Sequence, residues 1–279
     1  MIRQAASAIS TALLDDQMNL QSVRLPLSEA MYREAEEGFV ADRAIGWSGG
    51  PQETYRTLGP IVRQLMQSVQ TLPTFASGDG NLLPRITEQV LLDFDGSALL
   101  TAESPAGPLG DAQALVQPNT DKYYRNIMKS IQEQLPAKRH TKKSDKSNEA
   151  DIKSNGDDTE TEIVNRLFLL VNPGWRDANS FGIFNAQQAQ KEIFDCYPAT
   201  DAMDQFVVRG QKCSLLKVWP HDWCIFWSKM PYEQKKESDK NRDVEPEFLG
   251  SFSERPTYQV MDQLLQQALQ QQKEKNMQQ

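Results

Sequence analysis

The chain has little of what several common chemistries require. Its histidines number two, His140 and His221, in 279 residues. A histidine-rich metal centre is therefore excluded. Because His140 lies in a charged tract, His221 is the one base open to a Ser-His-Asp scheme. There are three cysteines, Cys196, Cys213 and Cys224. An odd count without paired spacing is no disulfide framework, and no Cys-x-x-Cys suggests zinc. The cysteines read as buried thiols of a reducing compartment. No apolar run approaches the roughly 20 residues of a membrane helix. The sequence thus predicts a soluble chain without a transmembrane segment, still able to touch a membrane surface. Basic charge is also scarce: 30 lysines and arginines stand against 38 acids, a net charge of -8. Nonspecific nucleic-acid binding runs on lysine and arginine contacts to phosphate, so a nucleic-acid partner is not expected. Neither a Walker loop nor G-x-G-x-x-G occurs, and no cofactor is expected.

What is present alternates between helix and strand. "MIRQAASAISTALLDD" has one arginine and no early acid, as the end of a transit peptide would. Ala5, Ile9, Ala12 and Leu13 also share one helical face, which favours a helix over 3–16. "NLQSVRLPL" reads as a strand ending at Pro26, and "SEAMYREAEEGF" as a short helix capped by Ser28. In "ETYRTLGPIVRQLMQSVQTL" the apolar spacing is helical, with the regular helix expected to begin at Pro60. "EQVLLDFDG" is a strand, followed by a Pro/Gly-rich loop. "NTDKYYRNIMKSIQEQL" is an amphipathic helix. "NRLFLLVNPGW" is the most apolar strand, as a central strand covered on both faces should be. "NAQQAQKEIFDCY" is a helix. "QFVVRG", "CSLLKVWP", "WCIFWSKM" and "EFLGSF" are strands, and "ERPTYQVMDQLLQQALQQQKEK" is a closing helix.

Residues 137–161 and 233–246 hold almost no apolar side chains. Such tracts cannot bury enough surface to offset their ordering entropy, so both are expected as disordered insertions. The tail, 271–279, is expected to fray. The whole reads as one α/β domain over 1–279: a mixed, Rossmann-like three-layer sheet with an antiparallel C-terminal part and a closing helix.

Asp93-Phe94-Asp95-Gly96-Ser97 is the most chemical stretch. It resembles the catalytic strand end of haloacid dehalogenase-like phosphatases. There the first aspartate attacks phosphorus, the second handles the proton, and both sit beside magnesium. The partners such a site needs are not recognisable later in the chain: the strand "LFLLVNPGW" ends in Asn172 and Pro173 and not in a hydroxyl residue, Lys191 and Lys212 sit in no matching context, and the acid pair Asp201 and Asp204 precedes a strand instead of ending one. The competing reading is that Asp93 and Asp95 solvate a strand end and Gly96 turns the chain. Gly46, Gly49 and Gly50 precede a helix, where backbone N–H groups could hold a phosphate, or form a simple turn. Asn172 ends the central strand, where open α/β sheets bind ligands, or else caps a turn. Trp219, Trp223, Phe226 and Trp227 combine core with one face needing cover, by the closing helix or by a partner. His221 and Cys224 point to opposite faces of a strand and make no pair. Arg255 could clamp Asp93 or Asp95.

The order of three C-terminal motifs carries a resemblance. Asn172-Pro173 with Trp175, Pro220 before Trp223, and Arg255-Pro256-Thr257 opening the last helix resemble a plant, algal and cyanobacterial domain-of-unknown-function family, number nineteen-ninety-five. Its members include the chloroplast protein Low Photosystem II Accumulation 3. The chain departs from the family pattern at Asp93-Phe94-Asp95 and around Asp222-Trp223-Cys224. The resemblance implies a non-enzymatic plastid auxiliary protein in the stroma or at the thylakoid surface, binding a protein partner and aiding assembly of photosynthetic complexes. A full-length chain without a transit peptide would instead be cytoplasmic. Partner or ligand candidates are Gly49, Gly50, Asn172, Trp175, Trp219, Trp223 and Arg255. The alternatives are a magnesium-dependent phosphatase using Asp93 and Asp95, and a binder of a small phosphorylated ligand near Gly49, Gly50 and Asn172.

Overall fold

The computed structural model describes residues 1–27, 50–70, 84–92, 95–104, 111–134, 166–231 and 246–277. Along the chain these form α1 (Ile2–Asp15), β1 (Leu20–Arg24), α2 (Pro51–Gln70), β2 (Arg85–Leu92), β3 (Ser97–Glu103), β4 (Ala112–Val116), α3 (Lys122–Gln134), β5 (Leu167–Val171), α4 (Ala186–Ala189, continued by a π-helical turn Gln190–Phe194), β6 (Ala199–Val208), β7 (Gln211–Val218), β8 (Trp223–Pro231), β9 (Glu247–Phe252) and α5 (Tyr258–Met277). The described strands join one sheet in the order β2-β3-β4-β5-β1-β6-β7-β8-β9.

The centre of that order is parallel and both flanks are antiparallel. All five residues of β5 are buried, which its unbroken run of apolar side chains requires of a strand covered on both faces. The side chains that β1 and β5 turn to one face, Val23, Leu167, Leu169 and Val171, pack under α1 and α2. Those on the other face, Leu20, Phe168 and Leu170, pack under α3, α4 and Trp175. Ala202 of β6 pairs with Arg24 and shares that second face, so α5, which seats Met261 and Leu264 beside Ala202, Leu215, Trp223 and Ile225, lies there too. The architecture is therefore the expected mixed three-layer α/β sheet with a closing C-terminal helix.

Several expectations are corrected in detail. The loop expected after Gly96 contains two strands, β3 and β4. Their residues, "SALLTAE" and "AQALV", are alanine-rich and short of β-branched side chains, so propensity concealed them. The antiparallel part is consequently not confined to the C-terminal half. The helix expected to begin at Pro60 begins at Pro51, with Pro60 inside it. Proline suits the first helical position because its missing N–H has no partner there anyway; at Pro60 one intrahelical bond is lost and the apolar face of Leu58, Val62, Leu65, Met66 and Val69, all buried, holds the helix together. The closing helix runs past residue 271, where fraying was expected, to Met277. The helix expected over 28–39, the insertion 137–161, and the insertion 233–246 apart from Pro246 lie outside the described residues.

Candidate functional site

The carboxyl ends of β5 and β1 lie side by side, since Val171 pairs with Val23. The onward connection from β1 leads to α2 on one face and that from β5 leads to α4 on the other, the arrangement in which open α/β sheets hold ligands. Asn172 sits at this point in the left-handed region, φ 47°, which asparagine tolerates better than most residues. Its side-chain oxygen accepts from Leu25 N–H at 2.7 Å, and its amide donates to Leu25 C=O at 2.9 Å. Both polar ends of Asn172 are thereby spent on joining the loops after β1 and β5.

One residue earlier, Arg24 leaves β1 on the face of α5. Its guanidinium donates to the Trp175 carbonyl and lies 3.9 Å from Asp204 of β6. The other oxygen of Asp204 accepts from Arg255 at 2.6 Å, while Arg255 also donates to the Arg176 carbonyl at 3.1 Å. The Arg255 guanidinium stands 5.9 Å from the centre of the Trp223 ring, a cation–π distance. The pairing expected between Arg255 and Asp93 or Asp95 is thus replaced by one with Asp204, because the loop before α5 passes over β6 and β8, far along the sheet order from β2. Burial pulls the affinity of Arg24 for its proton below the usual arginine range; Asp204 opposes this, and the nearby charges of Arg255 and Arg176 add to it.

Trp175 is buried against Phe181, ring centres 5.2 Å apart. Beyond Phe181 the chain makes a tight turn: Asn185 N–H bonds to Gly182 C=O at 3.1 Å, and Gly182 takes φ 83°. The two central residues of this turn are Ile183, 90% exposed, and Phe184, 100% exposed. Turn centres usually carry glycine, asparagine, aspartate, serine or proline. Sequence reasoning passed over this pair, since apolar residues between elements look like core.

The opening-motif region is placed differently. β2 is the outermost strand, antiparallel to β3, with Leu92 opposite Ser97. Asp93 lies outside the described residues. Asp95 accepts from the Asn119 amide and the Tyr124 hydroxyl, each at 2.9 Å, and Ser97 shares a 2.6 Å bond with that hydroxyl. Burial pushes the Tyr124 phenol up to about 12; the Ser97 bond acts against this and Asp95 with it. Gly96 has φ 57°, and a Cβ there would stand 2.2 Å from the Pro51 carbonyl oxygen. The glycine is what lets the hairpin press on the start of α2. Among the described residues, no three His, Cys, Asp or Glu side chains gather as a metal site would require.

Gly49 lies outside the described residues. Gly50 stands just before α2, and a Cβ on it would meet the Glu53 carboxylate at 2.3 Å, so an acid of the first turn folds over this helix start. Trp223 and Trp227 are buried under α5. Trp219 donates to Asp16 at 3.0 Å and carries the Lys217 ammonium 5.1 Å from its ring centre. On the opposite sheet face, Phe226 and Phe248 are in ring contact at 5.7 Å, with Phe248 55% exposed. His221 is exposed, and Cys224 contacts the Asp222 carbonyl.

Sheet order, helical layers and the Arg24–Asp204–Arg255 cluster at the strand ends define a mixed three-layer α/β protein. A family model described as "Domain of unknown function (DUF1995)" matches residues 1–263, and the chain belongs to that family. No curated protein and no solved structure gives a match.

Proposed function

We propose that this chain is a non-enzymatic auxiliary protein that binds a protein partner through the turn at Ile183 and Phe184. The observation that carries the reading is the display of two large apolar side chains to solvent on a hydrogen-bonded turn. Ile183 and Phe184 are more exposed than any other large hydrophobic residue among those described, ahead of Tyr258 at 58% and Phe248 at 55%. Bonds within the turn hold them: Gly182 N–H to Asn179 C=O at 2.9 Å, and the Asn185 amide to Phe181 C=O at 3.3 Å. Burying such side chains is worth about 1.5–3 kcal/mol each, and little ordering entropy opposes it when the turn is already fixed. The partner therefore offers an apolar pocket large enough for a phenyl ring. The likeness of Asn172-Pro173, Trp175 and Arg255-Pro256-Thr257 to plant, algal and cyanobacterial members supports a plastid setting, at a thylakoid surface or in the stroma, and a role in assembling photosynthetic complexes.

The test is affinity purification from the source organism with the natural chain and with an Ile183→Ser, Phe184→Ser double variant. A defined partner held by the natural chain and lost by the variant supports the reading. Identical captured sets overturn it, as does variant-sensitive sedimentation of the purified chain with lipid vesicles in the absence of any other protein. Imaging a tagged chain checks the plastid setting.

A further inference from the structure

We propose that Arg24, Arg176 and Arg255 form a binding site for a dianionic phosphate group at the carboxyl ends of β1 and β5. Arg24 and Arg255 flank one carboxylate, that of Asp204, and the backbone of Arg176 is tied to Arg255, which brings the charge of Arg176 near Arg24. Three positive charges less one negative leave a local excess of two, in a chain whose net charge is -8. Arginine cannot shed its proton to relieve this. Arg24 and Arg255 are also largely withdrawn from water, with 19% and 28% of their side chains exposed. A bound dianion would balance the excess.

The geometry suits such a ligand. Asp204 takes one guanidinium on each oxygen and so fixes two flat donor forks beside each other. The carbonyls of Trp175 and Arg176 pin the same two groups from the loop side. A guanidinium has five N–H donors, and Asp204 and these carbonyls engage only part of each set. The Arg255 Nε is buried and has no acceptor among the described residues. Arg176 is exposed, and its side chain has no partner among the described residues. Its acidic neighbour Asp177 is turned away, accepting from Ser180 N–H at 3.2 Å and Ser180 Oγ at 3.3 Å. Two pre-set forks and a third free to close from outside match a tetrahedral group with several charged oxygens better than a single carboxylate. The site is separate from Ile183 and Phe184, and its fate leaves the partner reading untouched.

The experiment titrates the full chain with inorganic phosphate, against chloride at equal ionic strength, following heat of binding and melting temperature. Arg176→Gln is the chosen variant because the Arg176 side chain supports nothing else. The site predicts saturable phosphate binding with a rise in melting temperature, and about tenfold weaker binding in Arg176→Gln, the scale of one charge-assisted hydrogen bond. A parallel arm uses phosphatidic acid vesicles. Sedimentation with them that free phosphate competes away, and that Arg176→Gln weakens, assigns the phosphate to a lipid headgroup; phosphate binding without vesicle binding assigns a soluble ligand. Equal responses to phosphate and chloride, or binding unchanged in Arg176→Gln, overturn the proposal.

Discussion

The side-chain amide of Asn172 hydrogen-bonds both backbone polar groups of Leu25, accepting at 2.7 Å and donating at 2.9 Å. It does so from a left-handed backbone position. Two loops leaving adjacent parallel strands are thus locked by one residue, and Arg24 and Trp175 on either side inherit their positions from that lock. Asn172→Asp keeps the shape but loses the donor and sets a carboxylate against the Leu25 carbonyl. An unmade bond at a part-buried carbonyl costs about 1–3 kcal/mol, so denaturant unfolding should show a loss of that size. An unchanged midpoint would mean the lock contributes nothing.

Asp204 should be the costliest single residue of the arginine cluster to neutralise. Asp204→Asn leaves Arg24 and Arg255 with no countercharge between them, and removing one partner from a largely buried ionic group costs several kcal/mol in the dry limit. Partial exposure of both arginines lowers the expectation to about 1–3 kcal/mol. The melting temperature should fall at low salt and recover partly at high salt, since added ions screen the arginine–arginine repulsion. A salt-independent loss would assign the effect to packing.

Gly96 is the point at which the Asp-Phe-Asp-Gly stretch presses on the start of α2. An added Cβ would meet the Pro51 carbonyl oxygen at 2.2 Å and Gln52 N at 2.9 Å, with φ at 57°. Both are backbone atoms and cannot swing aside. Gly96→Ala should therefore destabilise by about 2 kcal/mol or more, combining the left-handed penalty with displacement of the start of α2. Asp95→Asn, by contrast, keeps an oxygen to accept from Tyr124 and should fold well. If Gly96→Ala melts like the natural chain, the hairpin does not depend on that close approach.

The legible parts of the molecule were those with a local signal. β5 was readable because five apolar residues in a row fit only a strand covered on both faces, and α2 because its buried residues recur at helical spacing. β3 and β4 were not, since alanine satisfies either element and prolines and glycines flank both. The arginine cluster was beyond reach for a different reason. Arg24, Asp204 and Arg255 lie far apart in sequence and meet only because β6 joins the sheet beside β1. The one local hint was a charged residue interrupting the apolar face of a strand. The Ile183-Phe184 turn left a clearer trace: two large apolar residues directly after a glycine, where turn chemistry favours small polar ones.

Asp201 offers a pH test that does not depend on any ligand. It is 6% exposed, on β6 opposite Val23 and Val218. Burial raises its carboxyl from 3.8 to about 6, opposed by the positive amino terminus. The folded chain thus holds this proton more tightly than the unfolded chain does. Its contribution favours folding fully below the unfolded value and fades as pH rises through about 6. Above that, the buried charge costs up to about 3 kcal/mol, from 1.36 kcal/mol per pH unit. Asp201→Asn carries no charge to bury and keeps nearly the same shape. It should be more stable than the natural chain at pH 8, by about 1–3 kcal/mol, with the advantage shrinking steadily towards pH 4. Urea unfolding of both chains across that range measures the difference directly. A gap that stays constant from pH 4 to pH 8 would show that Asp201 does not titrate between the two states.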